Sequence, residues 1–147
     1  MGAVNRDSTI YGNRYTNKYL GDARTGFGNL VPFPFELTVV SASTVGDTYN
    51  LFVLPANWRM TFLFCTTDGL GASAGAGRTL SIGDSGSATR FMLATDFDVS
   101  GAQGFLAGAG VGYTPTADTI VLATSAGGAW VVGKKAFGIA LALAPAG

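Results

Sequence analysis

Residues 79–93 read Thr-Leu-Ser-Ile-Gly-Asp-Ser-Gly-Ser-Ala-Thr-Arg-Phe-Met-Leu, and this stretch decides the fold class. Its two ends, 79–82 and 89–93, are short runs typical of β-strands, and Gly-Asp-Ser-Gly lies between them at 83–86. In turns, glycine supplies positive φ angles, and aspartate and serine side chains bond back to nearby backbone amides. The stretch therefore predicts a β-hairpin in which Ser85 caps the turn.

The same four residues, 83–86, surround the nucleophile in chymotrypsin-like serine proteases. A serine hydroxyl needs a positioned base, normally an imidazole, to lose its proton during attack. The chain contains no histidine, and nothing in the sequence places Lys134 or Lys135 beside Ser85. We therefore predict that the chain has no catalytic residue and is not an enzyme. Replacing Ser85 with alanine is expected to cost some local stability and to abolish no activity.

Outward from the hairpin, the chain consists of short β-forming runs separated by turn residues. Such runs, with turn signals every 8–12 residues, are typical of a sandwich or barrel, and eight antiparallel strands fit a jelly roll. The predicted fold is all-β, a single antiparallel β-sandwich or jelly roll of about eight strands. A short helix within residues 96–106 is an alternative that two glycines weaken. The predicted strands are residues 37–45, 49–54, 58–65, 79–82, 89–93, 119–124, 129–132 and 136–143.

Residues 1–35 differ from the rest of the chain and predict an extended N-terminal arm, with residues 36–147 forming the jelly-roll domain. The segment lacks a sustained period, and its Asn, Gly and Thr residues are poor helix formers. Tyrosine and arginine are typical interface anchors, so the arm is expected to contact another protein. Packing of the arm on its own sandwich is the alternative. The candidate contact residues are Arg6, Tyr11, Arg14, Tyr15, Lys18 and Tyr19.

The composition predicts that partners cover much of the surface. Hydrophobic residues make up 48% of the chain, charged residues only 12%, and the formal net charge is zero. So little charge does not keep surfaces apart, and a neutral chain is a poor ligand for nucleic acid. The longest apolar stretch, 136–144, is too short for a membrane-spanning helix. Cys65 is the only cysteine and is expected to be a small core residue.

Metal and cofactor sites are not predicted. Asp84, Asp96 and Asp98 could offer oxygen ligands to calcium, but no loop has the required ligand spacing. Two glycine-rich stretches, 71–79 and 108–112, fail the phosphate-binding and dinucleotide-binding patterns, respectively. Asp96 and Asp98 flank Phe97 and are expected to be two solvated residues on one strand face, whereas Asp84 is a turn residue. The two glycine-rich stretches are expected to be flexible loops.

The order of motifs along residues 45–144 resembles the small jelly-roll proteins of tailed bacteriophages that decorate or cement the head. The best anchor is the stretch 82–91, Ile-Gly-Asp-Ser-Gly-x-Ala-x-Arg-Phe. The other elements of the pattern are Leu-Pro at 54–55, Thr-Asp-Gly-Leu-Gly-Ala-Ser at 67–73, Ala-Gly-Val-Gly-Tyr at 109–113, Asp-Thr-Ile-Val-Leu at 118–122 and an apolar last strand.

This resemblance implies a non-enzymatic virion protein, usually a homotrimer, bound to the major capsid protein. It also implies a place on the outer surface of the capsid after synthesis in the host cytoplasm. Two alternatives stay open. One is a lectin-like binding module that uses loop aromatics such as Trp58, Tyr113 or Trp130. The other is a tail or fibre subunit, since jelly rolls serve several roles.

Overall fold

The computed structural model describes residues 5–7, 30–41, 44–71 and 76–145, and for residues 5–7 the backbone alone. Within these ranges the chain forms β-strands and no helix, so no described helix could cross a membrane. The strands are β1 Asn5–Asp7, β2 Leu30–Thr38, β3 Thr48–Leu54, β4 Arg59–Asp68, β5 Thr79–Asp84, β6 Ser87–Asp96, β7 Ser100–Phe105, β8 Thr119–Ala126 and β9 Lys135–Leu143.

The strands form a β-sandwich with jelly-roll topology. The first sheet has the strand order β2-β9-β4-β7, and the second sheet has the order β1-β3-β8-β5-β6. The short β1 pairs in parallel with β3, whereas the pairs formed by β2 to β9 are antiparallel. Successive strands β2 to β5, and again β6 to β9, alternate between the two sheets, as in two Greek keys. The predicted all-β sandwich is confirmed.

The core lies between the sheets and is built from alternate residues of each strand. In β2, Val31, Phe33, Phe35 and Leu37 are buried, whereas the residues between them face outward. The ring of Phe33 stacks on Phe52 of β3, with 5.1 Å between ring centroids, and so joins the two sheets. Burying a side chain of this size stabilises the fold by about 1.5–3 kcal/mol.

The first strand of the sandwich begins earlier than the sequence indicated. β2 covers Leu30–Thr38, where the sequence pattern predicted a strand at 37–45 and a domain boundary at residue 36. Pro32 and Pro34 lie in this strand, and β2 is an edge strand, where proline is tolerated because its missing N–H is not needed for pairing. The last residues of the segment 1–35 therefore belong to the sandwich, and an arm in the remainder stays a prediction.

Two other segments also differ from the sequence-based expectation. Residues 129–132, predicted as a strand, form a loop that inserts Trp130 into the core, and the Val131 N–H donates to the Leu70 carbonyl at 2.9 Å. Residues 100–105, within the possible helix, form strand β7 instead and pair with β4. In both cases a partner distant in the sequence determines the local structure.

Candidate interaction surfaces

The Gly-Asp-Ser-Gly run forms the tight turn between β5 and β6, and Asp84 stabilises it. One carboxylate oxygen of Asp84 accepts hydrogen bonds from the backbone N–H groups of Gly86 and Ser87, both at 2.9 Å. Asp84 is buried, whereas Ser85 is exposed. The hairpin prediction is confirmed, but the hydrogen bonds described for the turn come from Asp84 rather than from Ser85.

Gly83 and Gly86 do not supply positive φ angles, contrary to the expectation from the sequence. Gly83 is required for a different reason, which is the close approach of two backbones. A Cβ atom placed on Gly83 would lie 2.0 Å from the carbonyl oxygen of Ser87. Side chains larger than hydrogen therefore cannot occupy this position without moving the hairpin.

Arg90 connects this turn to the loop that precedes β8. Its guanidinium donates to the second carboxylate oxygen of Asp84 at 2.5 Å, and the same group lies 4.4 Å from the ring centroid of Tyr113. The hydrogen bond from Arg90 to Asp84 raises the pKa of the Arg90 side chain. The Tyr113 ring also packs edge-on against Phe91, with 5.5 Å between centroids. This cluster has a structural role because it joins the turn, strand β6 and the loop before β8.

The aspartates considered as calcium ligands hold backbone amides instead. Asp98 is buried and accepts hydrogen bonds from the N–H groups of Gly77 and Arg78, at 2.6 and 3.0 Å. Asp96 accepts from the N–H of Asp98 at 2.8 Å. The expectation that these two residues share a solvated strand face is therefore wrong for Asp98. In the described part of the chain, no three metal-ligating side chains come together.

The three aromatic residues considered for sugar binding pack on the core. Trp130 is 2% exposed and stacks on Tyr49, with 5.3 Å between ring centroids. Trp58 and Tyr113 are half-buried against the core cluster. These side chains do not form an exposed aromatic platform.

Of the predicted arm residues, Arg6 is the one within the described ranges. Its backbone lies in β1, opposite Tyr49 of β3. The other five candidates lie outside the described residues, so their contacts stay predictions. They are Tyr11, Arg14, Tyr15, Lys18 and Tyr19.

The outer side of the first sheet is unusually apolar. We call this surface the apolar face. Three of its phenylalanines, Phe62, Phe105 and Phe137, are 41%, 57% and 43% exposed, and together they expose on the order of 300 Å². The largest apolar patch on a typical monomer is about 300–600 Å². The members of the apolar face are Leu30, Pro32, Pro34, Phe62, Phe64, Phe105, Phe137, Ile139, Leu141 and Leu143.

Strand pairing brings seven of these residues together in two continuous rows, whereas Phe137 lies between Glu36 and Thr66 in the next row. Pro34 lies opposite Ile139, Ile139 lies opposite Phe64, and Phe64 lies opposite Phe105, so one apolar row crosses all four strands. The rings of Phe64 and Phe105 are 5.5 Å apart. The neighbouring row contains Pro32, Leu141 and Phe62.

Charged groups of both signs border the apolar face. Glu36 and Lys135 form an ion pair at 3.0 Å on the side of the face where β9 begins. Arg59 and Asp68 stand at opposite ends of β4, and both are exposed. The border therefore carries no net charge.

The sequence analysis did not identify the apolar face, although a signal was present. Residues at both alternating positions of β9 are apolar, and β2 reads Leu-Val-Pro-Phe-Pro-Phe at its start. A strand with one side in water should alternate between apolar and polar residues. The loss of this alternation in β2 and β9 marks a sheet that is apolar on both sides.

No protein-family model matches the chain, and no curated protein sequence matches it. Several solved structures are similar to the chain. The chain is similar to a chain in the capsid asymmetric unit of cyanophage Pam1, with 25% identity, a TM-score of 0.67, and coverage of 86% of this chain and 93% of that one.

Two further capsid structures share the fold at lower identity. A chain in the capsid of Ralstonia phage GP4 has 16% identity and a TM-score of 0.76, with coverage of 97% of this chain and 99% of that one. A chain in the acid-stable capsid of Helicobacter pylori bacteriophage KHP30 has 20% identity and a TM-score of 0.61, with coverage of 80% and 89%. The chain therefore has a fold that occurs in phage capsids.

Proposed function

We propose that this chain is a structural protein of a phage virion, a decoration or cement subunit that binds the assembled head and stabilises it. The observation that carries the proposal is the similarity to a chain of the cyanophage Pam1 capsid, at 25% identity over 86% of this chain and 93% of that one. The match extends over most of both chains. The proposed role is not enzymatic.

The proposed partners are the major capsid protein and further copies of this chain, arranged as a homotrimer on the outer surface of the head. The chain would be made in the host cytoplasm and bind after assembly. The zero net charge supports protein partners over nucleic acid, because phosphate binding requires an excess of Lys and Arg. The apolar face supports a subunit that is covered in its working state.

A cement subunit acts by mass action. A protein that binds the assembled shell but not its separated subunits stabilises the shell by the free energy of binding. At a free concentration 100 times Kd, this contribution is about 2.7 kcal/mol per site. The arm, now limited to the residues before β2, is proposed to add contacts with capsid subunits or neighbouring copies through Arg6, Tyr11, Arg14, Tyr15, Lys18 and Tyr19.

The test uses heads of the parent phage that lack this protein. The purified chain is expected to sediment with such heads and to raise their melting temperature in a scanning fluorescence measurement. Absence of binding at saturating concentration would reject the decoration role.

Deletion of residues 1–24 tests the arm separately. The deletion removes the three-residue edge strand β1 and leaves β2 to β9, which begin at Leu30, so the circular dichroism spectrum of the β-sandwich is expected to persist. The shortened protein is expected to bind heads more weakly. If the shortened protein decorates heads with unchanged affinity, the arm does not contact the shell.

A further inference from the structure

The apolar face is the largest feature of the structure that the fold itself does not explain. The core between the sheets is complete without it, since the inward residues of β2, β4 and β9 are already buried. The second sheet also exposes apolar side chains, Leu93 on β6 and Ile120 on β8, at 63% and 39%. These two strands are not neighbours, because β5 lies between them. In the described part of the chain, the exposed phenylalanines all lie in the first sheet.

Charge favours another copy of this chain as the occupant of the apolar face. The border carries two positive groups, Arg59 and Lys135, and two negative groups, Glu36 and Asp68. A border of this kind does not select a basic or an acidic partner. The whole chain has zero net charge, so copies approach one another without repulsion.

The area of the face also fits self-association. A stable interface buries about 800 Å² on each partner, with an apolar centre and a polar rim. The exposed phenylalanine surface alone is on the order of 300 Å². Leu30 and Leu143, which are 36% and 38% exposed, and the bordering charged side chains extend it. The arrangement of an aromatic centre inside a charged rim is that of a protein–protein interface rather than of a solvated sheet.

We infer that the apolar face is the surface by which copies of this chain pack against one another. The inference deepens the proposed function, on which the place of the assembly in the virion rests. The contact between copies does not require a capsid shell. The inference assigns the residues that form this contact, and the arm and the second sheet remain available to bind the capsid.

The experiment compares the molar mass of the full chain with that of charged variants by light scattering after gel filtration. The wild type is expected to elute as a multiple of its 15.0 kDa chain mass. The double variant Phe62→Glu/Phe137→Glu is expected to elute at the mass of one chain, because it places like charges inside the interface. The control Leu93→Glu changes a side chain that is 63% exposed on β6 of the other sheet, and it is expected to keep the wild-type mass.

A second pair of variants separates loss of contact from loss of folding. Phe62→Thr/Phe137→Thr keeps β-forming residues and adds no charge, so the sandwich is expected to melt cooperatively while the assembly still dissociates. A wild type that is a single chain at about 100 µM overturns the inference. A folded double variant that keeps the wild-type mass overturns it as well.

Shell binding is measured in parallel, so that the two proposals fail in different ways. An assembled wild type that does not sediment with heads contradicts the decoration role and leaves the self-contact intact. A wild type that is a single chain in solution, but binds heads through Phe62 and Phe137, assigns the apolar face to the capsid and overturns the self-contact.

Discussion

Asp84 shows how a single carboxylate holds the turn between β5 and β6. It accepts two backbone N–H groups and one guanidinium N–H, so three donors find a partner in one buried side chain. The bond to the amide two residues further on is the ordinary local bond of an aspartate in a turn. The sequence predicted the turn but assigned its cap to Ser85, since aspartate and serine side chains both make bonds of this kind. Asp84 is buried and Ser85 is exposed, a difference that depends on the whole sandwich and that the local sequence does not contain.

Cys65 gives the fold a dependence on alkaline pH. It is confirmed as a core residue, 1% exposed, and burial raises the pKa of its thiol from 9.0 to about 12. Between these values the unfolded chain loses a proton that the folded chain retains, so rising pH favours unfolding. We expect the Cys65 contribution to lower the free energy of unfolding by about 1.4 kcal/mol per pH unit in this window.

Urea unfolding at a series of pH values from 8 upward measures this slope. The matched variant Cys65→Ala retains the other titrating groups, so the difference between the two proteins isolates the thiol. The two proteins are expected to differ by a constant amount below pH 9 and to converge above it. Parallel curves up to pH 11 would contradict the assignment.

At the scale of the strands, sequence patterns predicted the strand positions correctly where neighbouring residues in the chain determine the structure. The runs that became β3, β4, β5, β6, β8 and β9 were placed correctly because their apolar residues and turn signals are adjacent in the chain. β7 was missed because Gly101, Gln103 and Gly104 favour strands weakly, and it becomes a strand by pairing with β4. The strand predicted at 129–132 was wrong because Val131 bonds to Leu70, far away in the sequence.

The β5–β6 hairpin is expected to be sensitive to a single methyl group at Gly83. In the variant Gly83→Ala, the new Cβ would approach the Ser87 carbonyl oxygen and the Ala88 backbone, neither of which is the end of a flexible side chain. The strands would have to separate, and we expect a loss of at least about 2 kcal/mol in the free energy of unfolding.

Gly108→Ala is the matched control for this change. Nothing lies within 4 Å of a Cβ placed at Gly108, and the φ angle of Gly108 is not positive. The free energy of unfolding of this variant is therefore expected to stay within about 0.5 kcal/mol of the wild-type value. Chemical denaturation of both variants and of the wild type measures the three free energies of unfolding. Equal stability of the two variants would show that the hairpin opens without cost, contrary to the backbone approach at Gly83.

For the whole molecule, composition predicted that the surface is covered but not which surface. A chain with 12% charged residues and zero net charge must expose apolar groups somewhere. The location follows from tertiary structure, because it depends on which side of β2, β4 and β9 faces the other sheet. The sequence placed the expected contacts in the arm, residues 1–35. The structure adds the apolar outer side of the first sheet as a second candidate, and there strand pairing unites residues from four distant segments.

The response of self-association to salt follows from this distribution of charge. At about 1 M salt the Debye length is about 3 Å, so ion pairs at an exposed rim are weakened, whereas apolar burial is maintained. The Glu36–Lys135 pair is exposed, and the rim charges balance, so few attractive charges are lost. We expect the association constant, measured by sedimentation equilibrium, to stay level or rise between about 0.05 M and 1 M NaCl, and to rise in sulfate, which strengthens apolar burial. A steep fall in association with NaCl would place the contact between copies on charged groups and away from the apolar face.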